Sequence, residues 1–304
     1  MQSDRLSTPV LFIIFNRLDT TQRVFEAIRQ VLPSRLYIAA DGPRNDKLGE
    51  NLKVQAVRDY VLSHIDWQCE VKTLFWDKNR GCKVAVSSAI DWFFLNEEEG
   101  IILEDDCFPD KSFFPFCAEL LEKYRQDDRV MMISGDNFQS GVSRSRSYYF
   151  SRYCHIWGWA SWRRAWKHYD VTIPFWPQIC KDGFLNTLDR RERLYWKWCF
   201  GQVFSGRLDT WDYQWVLACW IKKGLAAVPA VNLVLNIGIG QDSTHTKEGD
   251  RRVLALETER MVFPLIHPDE IVADLPLDKN TRDISYRMSV FEYAWRKLKE
   301  IVRI

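Results

Sequence analysis

The chain has 304 residues, 46% hydrophobic and 27% charged, an ordinary globular composition with enough length for one large or two modest cores. Lys plus Arg number 42 against 41 Asp plus Glu, so no charge excess points to nucleic acid as a partner. The eight cysteines include no C-x-x-C pair, which argues against zinc, and their scatter through apolar segments reads as buried, reduced thiols of a cytoplasmic protein. Residues 1–8 hold no apolar signal-peptide core, and no run approaches the roughly 18 apolar residues of a membrane span.

Residues 10–15 (VLFIIF) read as a buried strand, broken by Asn16-Arg17-Leu18-Asp19-Thr20, where Asp19 or Thr20 can cap the next helix. That helix carries Val24, Phe25, Ile28 and Val31 at helical spacing. Strand 36–40 ends at Asp41-Gly42-Pro43-Arg44, and a helix follows over 50–65. Strand 71–75 leads into the polar loop 77–81, then a helix over 82–95. Strand 101–103 ends in three consecutive carboxylates, Glu104-Asp105-Asp106. A helix over 112–124 and a strand over 130–133 complete the alternation.

Strands alternating with helices imply βαβ units and a mostly parallel sheet flanked by helices. The polar strand ends, Asn16-Arg17, Asp41, 77–81 and the triplet, then converge on one crevice at the carboxyl edge of the sheet. No G-x-G-x-x-G follows the first strand and no P-loop is present, which disfavours a dinucleotide site and a P-loop ATPase. Carboxylates stacked at a strand end suit a hard divalent cation, which takes one or two protein carboxylates and leaves positions for substrate phosphates. A solvated acidic turn is the plainer reading, and the flanking Phe108, Phe113 and Phe114 speak against it.

Beyond about residue 135 the pattern changes. Residues 139–147 read as a Ser/Arg/Gly loop. Ten of the fourteen tryptophans lie between Trp157 and Trp220, and such flat faces serve either a core or a carbohydrate platform. Helical stretches are expected near 161–167, 191–204 and 213–223, and strands at 225–228 and 232–235. A Gly-containing polar loop covers 238–245 and holds His245. The tail 284–304 places Ile284, Met288, Phe291, Trp295, Leu298 and Val302 on one helical face opposite Arg287, Arg296, Lys297, Lys299 and Arg303. Such a helix either packs on the domain or lies against a membrane surface or a partner.

Several segments in order (9–17, 39–42, 102–107, 113–137, 157–166 and 211–215) resemble the inverting GT-A glycosyltransferases, most closely the N-acetylglucosaminyltransferase I type. The chain is also similar to bacterial nucleotide-diphospho-sugar transferases of surface-glycan clusters. The resemblance covers about two-thirds of the chain, and the acidic triplet is its most specific element. It implies a GT-A, Rossmann-like domain over 1–245, with a nucleotide-sugar half at 9–137, a Trp-rich acceptor half at 138–245 and a helical extension at 246–304. It further implies a metal-dependent, inverting transfer from a nucleotide diphosphate sugar, most simply a UDP-sugar, to a glycan hydroxyl.

The resemblance assigns Mn²⁺ or Mg²⁺ to Asp106, and donor contacts to Arg17, Asp41, Glu104, Asp105, Asp136 and Asn137. Asp41 matches the family position that accepts from the uracil ring N–H, although Asp-Gly-Pro is also an ordinary turn. Lys78 and Arg80 either steer the diphosphate or are loop charges. Asp212 matches the family base that takes the acceptor proton, and it also reads as the N-cap of helix 213–223. Trp157, Gly158, Trp159 and Trp211 fall on the acceptor side, with His155 just ahead of them. His245 is a second candidate metal ligand, at a place where the chain departs from the family's local pattern. Two other readings compete: a sugar-nucleotidyltransferase, which would need a Gly-rich loop after the first strand, and a non-catalytic carbohydrate-binding protein.

Overall fold

The computed structural model describes residues 5–139, 145–238 and 257–302. Its centre is an eight-stranded sheet in the order β3-β2-β1-β4-β8-β6-β9-β7. The strands are β1 (Val10–Ile14), β2 (Arg35–Ala40), β3 (Glu70–Phe75), β4 (Glu99–Glu104), β6 (Val130–Ser134), β7 (Tyr148–Ser151), β8 (Trp159–Trp162) and β9 (Leu225–Pro229). β1 pairs in parallel with both β2 and β4, and β2 with β3, as the βαβ pattern implies. The expected mostly parallel α/β sheet flanked by helices is therefore present. A separate two-stranded ribbon joins β5 (Cys107–Pro109) to β10 (Val234–Asn236) in antiparallel register.

Burial on both faces explains why the strands read as continuous apolar runs. Val10, Phe12 and Ile14 of β1 enter one core, while Leu11 and Ile13 enter the other. The first core is closed by α1 (Leu18–Arg29), α2 (Glu50–Ser63) and α4 (Phe113–Lys123). The second is closed by α3 (Gly81–Asn96), α7 (Arg190–Phe204) and α8 (Asp212–Ile221), with the short α5 (Arg163–Trp166) and α6 (Trp176–Lys181) between.

Several expectations change. The stretch read as helical from 161 is strand β8 through Trp162, and it inserts antiparallel between β4 and β6. Its neighbours Ala160 and Trp162 face one core and Trp159 the other, an alternation that four residues are too few to announce. Strand β7, within the stretch that follows the polar loop, was not expected at all. Helix α1 starts at Leu18 behind Arg17, so neither Asp19 nor Thr20 is its N-cap.

The helix expected over 284–304 is α10 (Val290–Val302), and Ile284 belongs instead to the end of a separate helix, α9 (Leu275–Ser285). The break is a capping box. The Ser289 amide donates to Glu292 Oε2 at 2.9 Å and the Glu292 amide donates to Ser289 Oγ at 3.1 Å. The C-terminal segment packs on the sheet domain: Asp278 of α9 accepts from Ser151 Oγ, and Gln139 Nε2 donates to Thr281 Oγ1 at 2.9 Å.

Candidate active site

Strand order reverses at β1, which has β2 on one side and β4 on the other. In open α/β sheets ligands bind outside the carboxyl ends of the strands at such a switch point. Arg17 follows β1 there, and Asp105 and Asp106 follow β4. The Arg17 guanidinium donates to Asp105 Oδ1 at 2.6 Å and to Asp106 Oδ2 at 2.9 Å. Burial works against the Arg17 charge, and the two carboxylates outweigh it and keep the group protonated. The Asp105 carboxylate also accepts from the Phe15 amide at 3.1 Å.

A cavity of about 440 Å³ opens over this corner. Arg17, Glu104, Asp106, Asp136, Trp157, Trp211 and Asp212 all line it, so the fold unites seven of the residues expected from sequence. Asp105 lies beneath, 4% exposed and paired to Arg17. Burial and then the neighbouring Asp106, Asp105 and Asp212 push the Glu104 carboxyl up to about 8. Burial pushes Asp105 up to about 6 against the pull of Arg17.

Asp212 begins α8 in the first turn, behind Trp211 at the capping position, so it is not itself the N-cap. Thr210 Oγ1 donates to its Oδ1. The loop before it is anchored by Asp209, whose carboxylate accepts from the Cys82 amide at 3.1 Å and the Lys83 amide at 3.2 Å. This ties the Asp212 segment to the start of α3, beside the triplet.

Asp136, just after β6, is fully buried and lines the cavity. Its Oδ1 accepts from the Trp157 amide at 3.0 Å, while among the described residues its Oδ2 has no hydrogen-bond partner. His155 Nδ1 lies 3.8 Å from that oxygen. Burial holds the Asp136 carboxyl well above the usual carboxylate range and draws His155 down to about 4.

Asp41 and Asn137 are hydrogen-bonded to the chain's own backbone. The Asp41 carboxylate accepts from the amides of Gly42, Arg80 and Gly81 and from Asn79 Nδ2, so it organises the loop into α3. Any base contact there would compete with these bonds. Asn137 donates to the Pro229 carbonyl at 2.7 Å and accepts from the Gln139 amide at 2.9 Å, which uses its amide internally. Lys78 and Arg80 are exposed outside the cavity, and Arg80 lies over the Trp76 ring.

Trp159, expected on the acceptor side, is 1% exposed in the second core, stacked on Trp211 at 5.7 Å and absent from the cavity wall. Trp162, Trp166, Trp176 and Trp215 are buried as well, so most of the tryptophan cluster is core. Gly158 takes φ +61 and lets Trp157 reach the cavity while Trp159 turns into the sheet. His245 lies outside the described residues.

No protein-family model matches the chain, and no curated protein matches it. Solved structures with some similarity include mannosyltransferase PcManGT from Pyrobaculum calidifontis in complex with GDP-Man and Mn²⁺. That match has 15% identity and a TM-score of 0.37 over 52% of this chain, and it spans only 45% of the mannosyltransferase. A second is the galactosyltransferase LgtC in complex with donor and acceptor sugar analogs, at 11% identity and TM-score 0.38 over 72% of each chain. A third is the inositol-1-phosphate CTP transferase from T. maritima, at 9% identity and TM-score 0.39 over 74% of this chain and 85% of that one.

Sequence reasoning did not single out Asp209, Cys82, Tyr195, Trp196, Trp198 or Tyr286, although all but Asp209 line the cavity. Tyr286 reaches it from beyond the end of α9. A clue for Asp209 was available: a carboxylate three residues ahead of Asp212, in a polar loop.

The donor set suits a hard cation. Glu104, Asp106 and Asp212 line one cavity with Arg17, and their mutual repulsion contributes to the upward shift of Glu104. Mg²⁺ or Mn²⁺ relieves such an excess with one or two carboxylates plus water and phosphate oxygens. Among the described residues no group of three His, Cys, Asp or Glu side chains is arranged as a ready ligand set. A divalent cation here would draw only one or two ligands from the chain itself.

Proposed function

We propose that this chain is a metal-dependent, inverting GT-A glycosyltransferase that moves a sugar from a nucleotide diphosphate, a UDP-sugar, to a hydroxyl of a glycan acceptor. One observation carries the reading. Arg17 and Asp106, from the two strands at the switch point, share a cavity with Asp212 from the far half of the chain. A plain acidic turn would not be roofed by a second carboxylate segment and a tryptophan wall.

Asp106, with Glu104 beside it, would hold the Mg²⁺ or Mn²⁺, which when bound supplies Lewis-acid stabilisation to the departing diphosphate. Arg17 orients Asp105 and Asp106 and supplies the cationic fork nearest the donor. Asp212 accepts the proton of the acceptor hydroxyl. The hydroxyl oxygen forms a bond to the anomeric carbon as the bond from that carbon to the diphosphate oxygen breaks, and the electron pair leaves with the diphosphate. A single displacement inverts the anomeric centre. Trp157 forms the acceptor wall, where a flat apolar face suits sugar C–H patches and excludes water, while Trp211, 2% exposed, contributes little surface to it. Asp41 and Asn137 act by holding the loops that shape the donor side, and Asp136 borders the sugar.

Asp212→Asn tests the assignment. Turnover should fall about 10²–10⁴-fold, the usual contribution of a positioned base, while Mn²⁺-dependent binding of the nucleotide diphosphate stays at the wild-type value. Near-normal turnover removes Asp212 from the base role. Thermal shifts with Mn²⁺ plus UDP, GDP or UTP test the class. A metal-dependent preference for UDP is expected. A preference for UTP would favour a sugar-nucleotidyltransferase, and no nucleotide response a carbohydrate-binding protein.

A further inference from the structure

No helix among the described residues is long and apolar enough to cross a membrane. One helix nevertheless exposes an apolar face. On α10, Phe291 is 88% exposed, Trp295 57% and Leu298 58%, and their i, i+4, i+7 spacing puts them on one side. Solvent-facing aromatics and leucine in a row are unfavourable unless something covers them. Basic groups surround that side. Lys299 Nζ sits over the Trp295 ring at 3.5 Å, and Arg287 is exposed one turn before the helix. Helix α10 packs on α7, which exposes Arg190, Arg191 and Lys197. At the start of α10, Glu292 is engaged by Ser289 at the capping box.

We propose that this α7–α10 face docks on an anionic phospholipid bilayer, with Phe291, Trp295 and Leu298 entering the interface and the Lys and Arg side chains meeting the headgroups. A second copy of the chain is a poorer occupant. A two-fold contact sets the same patch against itself, and here that would oppose basic residues. A bilayer offers hydrocarbon to the aromatics and negative charge to the basic rim at once. The docked helix also has an address relative to the cavity. Arg296 of α10 lies 4.4 Å over the ring of Trp198, and Trp198 lines the cavity. Docking therefore holds the α7 wall of the cavity next to the lipid surface. The proposal does not depend on the transferase reading.

Flotation of the full chain with lipid vesicles tests it. The wild type should float with phosphatidylglycerol-containing vesicles and far less with pure phosphatidylcholine, and 0.5 M salt (roughly a 4 Å screening length) should release it. Combining Phe291→Ser, Trp295→Ser and Leu298→Ser should lower the partition coefficient at least about tenfold. Lys299→Glu alone should lower it about fivefold or more. Should the triple variant unfold, Lys299→Glu and the salt titration on the wild type still decide. Wild type that fails to float, that floats equally on neutral vesicles, or that is unaffected by the folded triple variant overturns the proposal. So does light scattering that shows a wild-type dimer lost in the triple variant, since a second copy would then cover the face.

Discussion

Replacing Gly158 with alanine should cost far more than the same change at Gly49, although both glycines have positive φ, +61 and +75. Alanine in the left-handed region costs about 1–2 kcal/mol, partly offset by the ~0.4–1 kcal/mol gained from a less flexible unfolded chain. At Gly49 an added Cβ meets nothing within 4 Å, so the net loss is about 1 kcal/mol. At Gly158 the Cβ would lie 2.9 Å from Val234 Cγ2 and 3.1 Å from Leu103 Cδ2, well inside the usual 3.5–4.0 Å carbon contact. Val234 and Leu103 are fully buried and have little room to give. Overpacking adds about 1–3 kcal/mol, so Gly158→Ala should lose about 2–4 kcal/mol in total.

The Gly158 carbonyl also accepts from the Gly135 amide at 2.7 Å, and the next residue back, Trp157, donates to Asp136. A shift there disturbs the cavity wall, and the Mn²⁺-dependent nucleotide thermal shift should shrink with it. Urea unfolding of both variants, compared at unchanged m-value, measures the difference. If Gly158→Ala lies within about 0.5 kcal/mol of Gly49→Ala, the tight packing of this bend is refuted.

Three further outcomes follow from the same contacts. Excess EDTA should abolish transfer, and added Mn²⁺ or Mg²⁺ should restore it; full activity in EDTA would end the metal role. Asp209→Ala removes two helix-start acceptors and should cost about 1–2 kcal/mol. It should also lower kcat more than donor affinity, because the loop it anchors carries Asp212; unchanged kcat in a destabilised variant would show that the anchor is structural alone. Asp278, 3% exposed, has its carboxyl pushed by burial from 3.8 to about 6. Between those values the folded state holds a proton that the unfolded state has lost, so stability falls as pH rises. The wild type should lose about 2 kcal/mol relative to Asp278→Asn between pH 3.8 and pH 6. Denaturant unfolding at the two ends checks this, and a constant difference contradicts it.

Much of the first half of the chain was legible because its signals are local. β1, β2 and β4 are short apolar runs ended by polar residues, and helix α1 repeats its apolar positions at helical spacing. Runs of that kind, alternating, leave a parallel sheet as the economical way to bury both faces. The triplet at the end of β4 was equally readable, since its chemistry and its position on a strand end are both written in a few residues. The amphipathic tail was visible too, and its interruption by Ser289 and Glu292 was encoded by a known spacing that a periodicity count passes over.

What the tertiary structure decided are the matters that depend on partners distant in sequence. β8 is a central strand only because β4 and β6 lie on either side of it, and its four residues read locally as the start of a helix. Trp159 is buried as the first residue of β8, while Trp157, ahead of the Gly158 bend, stays half-buried at the cavity. Asp41, a plausible ligand by position, has its oxygens taken by amides about forty residues away. Asp212 meets the triplet only because Asp209 caps α3 and carries the α8 loop to the switch point. By itself the sequence determined which groups with chemistry stand at strand ends. Pairing, burial and capping across long separations then chose which of those groups share one cavity and which hold it in shape.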